Sequence, residues 1–329
     1  MFYVYKHLNS KVIAILTSGG DAPGMNAAIR AVVRLAVAKE MRPFGIRRGY
    51  GGLISRDIFE MSIRTVSEII ERGGTILYTT RNLEFHTECG LQRAVKNCKD
   101  THIDTIVVIG GEGSIFGAKK LIEHGINCIC IPCTIDNDIA CSENSIGFDT
   151  AVNTATSMID KIRDTAQAHD RCSVVEVMGR RCGNIAIHTG IAVGATAILV
   201  PEYKFDFERD VINRINFTQK MGKKHFIIIV AEGLKIASDI TIEISKKTNI
   251  ETRATILGHV QRGGSPTAAD RVLASRMGCY AVDLISKGIK NKVVVVKNNK
   301  IVSMDIKKAV DIKKNFDLDL YNKALAISI

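Results

Sequence analysis

The sequence predicts an α/β fold with doubly wound, mostly parallel sheets. Short continuous apolar runs rich in β-branched residues alternate with longer segments of helical periodicity. Apolar runs without polar alternation are typical of strands covered by helices on both faces, as in parallel sheets. Glycine-rich loops follow several of the runs, and such loops join strands to helices in doubly wound folds. These three observations together predict the fold class.

The predicted elements follow one another along the whole chain. The strands are residues 11–17, 104–110, 126–131, 172–178, 196–200 and 225–231. The helices are residues 25–40, the segment from Gly113 to about His124, and residues 150–169. At about 150 residues per domain, the 329 residues predict about two domains. Because no change of composition marks a linker, a second domain is either interwoven with the first or joined to it by short loops.

The composition excludes several classes of protein. Hydrophobic residues make up 46% and charged residues 24% of the chain, which is typical of a globular protein and not of a disordered, collagen-like or coiled-coil chain. There is no apolar run long enough for a transmembrane helix and no signal peptide pattern. Nine cysteines in a chain too long for a disulfide scaffold predict a reduced, cytoplasmic location.

The net charge points to anionic partners. Subtracting 34 acidic from 45 basic side chains gives +11, which permits nucleic acid, a membrane surface or phosphorylated small molecules. The stretch Lys287–Lys314 holds nine lysines and two aspartates, hence +7 of the excess. We interpret this stretch as a solvated surface.

Four glycine-containing or acidic loops follow predicted strands. They are SGGDAPGMN (18–26), GGEGS (110–114), PCTIDND (132–138) and MGRRCGN (178–184). Glycines before a helix let backbone N–H groups approach an anion, which the helix dipole also favours. One such loop alone is more often a tight turn, but several at one sheet edge favour a polyphosphate site. A G-x-x-x-x-G-K-[ST] motif does not occur, which excludes a P-loop enzyme.

The loop 132–138 carries the candidate acid–base group. Asp136 and Asp138 lie two residues apart, with the hydroxyl of Thr134 and the amide of Asn137 beside them. A carboxylate among phosphate-binding groups suits proton transfer or Mg²⁺ binding, although the same residues could form an Asx turn. Five arginines lie beside strands or glycine loops, where their planar forks suit phosphoryl oxygens: Arg81, Arg171, Arg180, Arg253 and Arg262.

Taken together, these motifs resemble the bacterial-type ATP-dependent 6-phosphofructokinases (phosphofructokinase family A). The resemblance runs from about Lys11 to Gly288. It is carried by SGGDAPGMNAAIR (18–30), GGTILYTTRNLEF (73–85), IGGEGS (109–114), TIDND (134–138), VEVMGR (175–180) and ETRATILGHVQRGGSP (251–266).

The resemblance implies a glycolytic kinase that transfers the γ-phosphoryl group of ATP, with Mg²⁺, to the C1 hydroxyl of fructose 6-phosphate. It implies two Rossmann-like lobes with the active site in the cleft between them. The expected ATP lobe is 1–147 with 262–312, the expected sugar phosphate lobe is 148–261, and 313–329 return toward the second lobe. It also implies a homotetramer, in which Arg171 and Arg253 reach the 6-phosphate of a neighbouring subunit, and an anionic effector, ADP or phosphoenolpyruvate.

Site residues are carried over by motif. The expected catalytic residues are Asp136 as the base, with Thr134, Asp138, Arg81 and Arg180. The expected ATP-binding residues are Gly20, Arg81, Asn82, Gly111, Glu112, Gly113 and Ser114, with Glu112 also at the metal. The expected substrate-binding residues are Thr134, Ile135, Asp136, Arg171, Met178, Gly179, Arg180, Glu232, Arg253, His259, Val260, Gln261 and Arg262. The expected effector-binding residues are Arg30, Arg34, Arg64, Arg163, Lys223, Lys224 and His225.

Departures from the family pattern leave alternatives open. Glu112 stands where ATP users usually have Asp, so a non-catalytic member is one alternative. Pyrophosphate users tend to have Asp at position 113 and Lys at position 133, whereas Gly113 and Cys133 here favour ATP. Thr196 replaces an acidic effector-site residue, which predicts weak activation by MgADP.

Three other classes fit the sequence less well than the kinase. The NAD or lipid kinases share a GGDG-type loop but lack TIDND and HVQRGG in this arrangement. A nucleic-acid-binding protein would interleave aromatics with basic residues, and Lys287–Lys314 contains none. The third class is a redox or metal-binding protein, which the C-x-x-C pair Cys130 and Cys133 could indicate. We interpret these two cysteines as core residues because no second pair with zinc spacing follows.

Overall fold

The computed structural model describes residues 10–313 and 315–328. These residues separate into two compact units. The first unit contains residues 10–134, 139–147 and 264–313, and the second contains 135–138, 148–263 and 315–328. Each unit is therefore assembled from three separate stretches of chain.

Eleven strands lie within the described residues. They are β1 Val12–Ser18, β2 Arg42–Ile46, β3 Ile58–Glu60, β4 Thr105–Gly110, β5 Asn127–Pro132, β6 Cys172–Val177, β7 Ala197–Leu199, β8 Phe226–Ala231, β9 Thr252–Ile256, β10 Lys292–Lys297 and β11 Lys300–Asp305. The six predicted strands are confirmed, each to within one residue at either end.

Eleven α-helices accompany these strands in the same part of the chain. They are α1 Met25–Ala38, α2 Gly49–Ser55, α3 Glu88–Asp100, α4 Glu112–Glu123, α5 Phe148–Ala168, α6 Asn184–Ala192, α7 Asn213–Lys220, α8 Ala237–Thr248, α9 Ala268–Ser286, α10 Ile306–Val310 and α11 Leu318–Ala326. The three predicted helices are confirmed as α1, α4 and α5. Helix α4 begins one residue before Gly113, at Glu112.

The first unit is built on a seven-stranded sheet. Its strand order is β11-β10-β5-β4-β1-β2-β3, and only the pairs β2–β3 and β10–β11 are antiparallel. All residues of β1 and β4 are buried, as expected for strands covered on both faces. Because β1, β4 and β5 are parallel neighbours, the loops that follow them begin at the same edge of the sheet.

The second unit is built on a four-stranded parallel sheet. Its order is β7-β8-β6-β9, so β6 lies between β8 and β9. The loops that follow these four strands also begin at one edge. Together the two sheets confirm the predicted α/β class with mostly parallel strands.

Sequence analysis did not assign β2, β3, β9, β10 or β11. Strand β9 lies at a sheet edge with three of its five residues exposed, so no continuous apolar run marks it. The four consecutive valines of β10 are a signal that could have been used. No helix in the described part of the chain is long and apolar enough to cross a membrane.

The lysine-rich stretch lies largely on the surface, as the solvated-surface interpretation predicts. Among its described lysines, Lys292 is half-buried beside Asp305, with 3.4 Å between the ammonium nitrogen and the carboxylate. The other seven are exposed: Lys287, Lys290, Lys297, Lys300, Lys307, Lys308 and Lys313. Lys314 lies outside the described residues.

Candidate active site

In the first unit, neighbouring loops hold the glycine loop that follows β1. The hydroxyl of Thr79 donates to the carbonyl of Gly19 at 2.8 Å, and the hydroxyl of Ser114 donates to the carbonyl of Ser18 at 3.0 Å. Gly19 has φ +88°, a left-handed conformation that glycine adopts without strain. The loop therefore presents its backbone, including half-buried Gly20, in a fixed shape.

The loop after β4 passes directly into α4. A Cβ on Gly110 would lie 2.4 Å from the carbonyl oxygen of Ser18, so only glycine allows the two loops to approach this closely. Helix α4 then begins at the exposed residue Glu112. The first turn of the helix points N–H groups outward, which is the arrangement that binds phosphates.

A buried aromatic pair supports this loop. The rings of Tyr50 and Phe85 stack with centroids 4.1 Å apart, and the Tyr50 hydroxyl donates to the carbonyl of Ser114 at 2.6 Å. A Cβ on Gly117 would lie 2.5 Å from the Tyr50 ring. Gly117 therefore allows close packing of α4 on Tyr50.

Alanine substitutions at the two glycines of α4 are expected to change the free energy of unfolding in opposite directions. Gly117→Ala should lower the free energy of unfolding by about 1–3 kcal/mol, because the added methyl overlaps a buried ring. Gly113→Ala is the matched control: its Cβ meets nothing within 4 Å, and alanine favours a helix. Chemical denaturation of both variants measures the difference. Equal stability of the two variants would contradict the packing role.

The remaining candidate residues of this unit are Arg81 and Asn82, expected at ATP, and Thr134, expected in catalysis and substrate binding. Arg81 is exposed, whereas the Asn82 side-chain oxygen accepts from the backbone N–H of Phe85 at 2.9 Å. Thr134 is fixed by its backbone, whose N–H donates to Ile146 at 3.0 Å and whose carbonyl accepts from the Ser145 hydroxyl at 2.7 Å.

In the second unit, Asp136 is an almost fully buried carboxyl group. Its exposed fraction is 5%. Burial, together with the negative charges of Asp138 and Glu232, raises the pKa of Asp136 to about 6, and the cations of Arg262 and Arg180 limit the rise. Near pH 7 the group is therefore largely ionised and still basic, as a general base requires.

The backbone around Asp136 is held by Asn184, the first residue of α6. The Asn184 side-chain nitrogen donates to the carbonyls of Asp136 at 3.2 Å and Asn137 at 2.8 Å. Asn137 has φ +48°, which asparagine tolerates better than most residues. Sequence analysis missed this role of Asn184, although the residue ends the motif MGRRCGN.

The loop after β6 is fixed by the first residue after β8. One Glu232 carboxylate oxygen accepts from the backbone N–H of Gly179 at 3.3 Å and of Arg180 at 2.6 Å. Gly179 has φ +149°, and a Cβ there would lie 2.2 Å from the carbonyl oxygen of Cys182. The loop leaves the Arg180 side chain exposed and the Met178 side chain buried.

The segment after β9 forms a 3₁₀ turn over Gly258–Arg262. His259 and Val260 are exposed, Arg262 is half-buried and Gln261 is fully buried. The effect of Arg262 on the pKa of Asp136 indicates that the turn brings its cation near that carboxyl. The second unit therefore brings Asp136, Arg180, Glu232 and Arg262 into one electrostatic neighbourhood.

Arg171 and Arg253 lie together on the same unit through a shared carboxylate. Glu251 contacts the Arg171 guanidinium at 2.8 Å and the Arg253 guanidinium at 2.9 Å. The hydrogen bond from Arg171, and to a smaller extent the one from Arg253, lowers the pKa of Glu251. The pair of arginines is thus already assembled within one chain.

Three of the predicted effector residues also meet in the second unit. Lys223 donates to the hydroxyl of buried Thr196 at 3.2 Å, and Arg163 donates to the carbonyl of Val193. Burial and the nearby Arg163 cation lower the pKa of both Lys223 and His225. Lys224 is exposed. The first unit carries Arg30, Arg34 and Arg64.

The cysteines and the acidic groups add no dedicated metal centre in the described residues, where no group of three or more His, Cys, Asp or Glu side chains is placed to hold an ion. Cys130 and Cys133 are both fully buried and not disulfide-bonded. Burial raises the pKa of both thiols, which suppresses the reactive thiolate. The interpretation of this pair as core residues agrees with that environment.

The chain is similar to known proteins along nearly its whole length. The family signature described as phosphofructokinase matches residues 12–285. The chain is 52% identical over 317 residues to ATP-dependent 6-phosphofructokinase of Brevibacillus brevis, with 96% of this chain and 99% of the relative covered. It is 51% identical over 318 residues to ATP-dependent 6-phosphofructokinase of Clostridium botulinum, with 97% and 99% covered.

Solved structures show the same similarity. The phosphofructokinase structure from Saccharomyces cerevisiae superposes with a TM-score of 0.87 at 33% sequence identity. The alignment covers 97% of this chain and 48% of the yeast chain, so this chain spans about half the yeast chain's length.

Proposed function

The chain belongs to the phosphofructokinase family, and on that premise we propose that it transfers the γ-phosphoryl group of ATP to the C1 hydroxyl of D-fructose 6-phosphate. The products are fructose 1,6-bisphosphate and ADP, and the reaction is the glycolytic one. The observation that carries the proposal is the buried Asp136, whose pKa of about 6 suits a general base that faces two arginine cations.

Thr134 and residues of the second unit would supply the acceptor side of the reaction. Asp136 accepts the proton of the C1 hydroxyl as that oxygen attacks the γ-phosphorus, and Asp138 and Thr134 help to orient the hydroxyl. Arg180 stabilises charge on the transferring phosphoryl group, because guanidinium donors match phosphoryl oxygens. The sugar phosphate is held by the substrate-binding residues named above, including the exposed His259 and Val260.

The residues of the first unit would hold ATP. The glycine loops at Gly20 and at Gly111–Ser114 present backbone N–H groups to the phosphates, and Arg81 and Asn82 complete the site. The Ser114 hydroxyl already binds Ser18, so its side chain shapes the loop. Glu112 fits a Mg²⁺ ion that is shared with the phosphates, because its exposed carboxylate offers the hard oxygen that Mg²⁺ prefers. When bound, Mg²⁺ neutralises charge on the β- and γ-phosphates.

The direct test is a coupled assay for fructose 1,6-bisphosphate with ATP or pyrophosphate as donor. We expect turnover with ATP and little with pyrophosphate, since Gly113 and Cys133 lack the side chains typical of pyrophosphate users. Turnover with neither donor would contradict the proposal and favour a non-catalytic member. Preferential turnover with pyrophosphate would reassign the donor.

We extend the proposal to a homotetramer located in the cytoplasm. In it, Arg171 and Arg253 would leave Glu251 for the 6-phosphate bound by a neighbouring subunit. The two arginines are suited to this role because they lie within reach of one carboxylate, hence of one phosphate of similar charge. Arg253 is also largely exposed.

We expect MgADP to activate the enzyme only weakly. The cluster of Arg163, Lys223 and His225 can bind an anion such as phosphoenolpyruvate, but Thr196 offers no carboxylate for the metal of a nucleotide. Initial rates at low fructose 6-phosphate, with and without MgADP, measure this. Strong activation by MgADP that disappears in Arg163→Ala would overturn the prediction.

A further inference from the structure

We infer that Gln261 is a positioning residue that locks the loop carrying Arg180 to the turn carrying His259 and Arg262. The inference rests on the proposed function, because those side chains are assigned to fructose 6-phosphate. In this role Gln261 acts by hydrogen bonds to the backbone of both segments.

The carboxamide of Gln261 bridges two backbone segments. Its oxygen accepts from the backbone N–H of Met178 at 3.2 Å, and its nitrogen donates to the carbonyl of Gly258 at 3.0 Å. A backbone N–H can only donate and a carbonyl can only accept, so these partners fix the orientation of the amide. The side chain has 0% exposure, and a polar group buried to that extent is costly unless it is hydrogen-bonded.

The two bridged segments leave neighbouring strands. Strands β6 and β9 are paired in parallel, and the last bond of that region joins the Leu257 N–H to the Glu176 carbonyl at 3.0 Å. Beyond it, the chain after β6 turns through Gly179 and the chain after β9 turns at Gly258, which has φ +56°. The strand ladder therefore ends where both substrate-binding segments begin, and Gln261 continues the connection between them.

The loop 178–180 is then held from both sides. Glu232 binds the N–H groups of Gly179 and Arg180 from the β8 side, and Gln261 binds the N–H of Met178 from the β9 side. Both residues are among those expected to bind substrate, but Glu232 is half-buried, whereas Gln261 is sealed from solvent. Because three successive N–H groups have fixed acceptors, the backbone from which the Arg180 side chain extends is set before substrate binds.

The side chain must be long enough to reach both backbone groups, and it must accept one hydrogen bond and donate another. Glutamine is the only uncharged side chain of that length that does both. Gln261→Met removes both hydrogen bonds at similar volume. Gln261→Glu keeps the acceptor but loses the donor whenever its carboxyl is ionised. When that carboxyl is protonated it regains a donor for the Gly258 carbonyl, and burial favours the protonated form.

Steady-state kinetics of both variants test the inference. In Gln261→Met we expect the KM for fructose 6-phosphate to rise about 10-fold or more, with the KM for ATP within about 2-fold of the wild type. In Gln261→Glu we expect the ratio of variant to wild-type KM for fructose 6-phosphate to fall as the pH drops from about 8 to about 6. Gln167→Met, at an exposed position of α5 in the same unit, is the matched control and should leave both KM values unchanged.

The possible outcomes separate the inference from its premise. An unchanged KM for fructose 6-phosphate in both variants, or equal rises in both KM values, would overturn the positioning role. If Gln261→Met does not fold, the pH-dependent ratio of Gln261→Glu decides, because a general structural defect would change the KM for ATP with pH as well, whereas a positioning defect changes only the KM for fructose 6-phosphate. Absence of phosphorylation by the wild type would instead overturn the proposed function.

Discussion

Asp136→Asn is expected to lower kcat by about 10²–10⁴-fold, the usual loss when a general base is removed. Asparagine has nearly the same shape but cannot take the proton from the C1 hydroxyl. The KM values for ATP and fructose 6-phosphate should change much less than kcat. Coupled steady-state assays measure both, and equal activity of the variant would contradict the role of Asp136.

The same residue predicts the acid limb of the pH profile. Because the pKa of Asp136 is raised to about 6, wild-type kcat should fall as the pH drops through that value. The residual activity of Asp136→Asn should lack this limb. Asp160→Asn, an exposed residue of α5, is the control and should keep both the rate and the limb.

Stability should change in the opposite direction to activity. A carboxyl whose pKa is raised by folding binds its proton more tightly in the folded state, so its contribution to the free energy of unfolding falls as the pH rises from about 4 to about 6. Asp136→Asn removes that buried charge. At pH 7 we expect the variant to be more stable than the wild type, by at most about 3 kcal/mol, as measured by urea denaturation.

Arg180→Ala is expected to lower kcat by about 10²–10³-fold, which is the usual effect of removing one hydrogen-bond donor that stabilises charge in the transition state. The exposed guanidinium sits at the end of a loop fixed by Glu232, so its removal leaves the loop's hydrogen bonds intact. Its cation also opposes the rise in the pKa of Asp136. The acid limb should therefore move to higher pH in the variant.

Arg181→Ala provides the matched control for this loop. Arg181 is the next residue and is also exposed, but it is not among the expected site residues. We expect near wild-type kcat and an unshifted acid limb. A similar loss in both variants would indicate a general effect of charge and not a specific contact of Arg180 with the phosphoryl group.

Short-range patterns along the chain are sufficient to predict the fold class and the location of the loops. Continuous apolar runs such as β1 and β8 are short-range patterns, and each specifies a buried strand almost independently of its surroundings. Because the loops that follow parallel strands begin at one edge, the motifs containing Asp136 and Arg180 could be proposed as parts of one site from their place in the sequence. The edge strands β3, β9 and β11 were missed, since their partial exposure leaves no such run.

The contacts and the pKa values of those residues depend on the folded chain. The contacts of Asn184 with Asp136, Glu232 with Arg180, and Gln261 with Met178 join positions 48, 52 and 83 residues apart along the chain. The raised pKa of Asp136 likewise depends on burial and on charges brought in from other loops. Hydrogen bonds and desolvation act over a few ångströms in space. A sequence pattern can therefore identify candidate residues, but it does not determine their contacts or their pKa values.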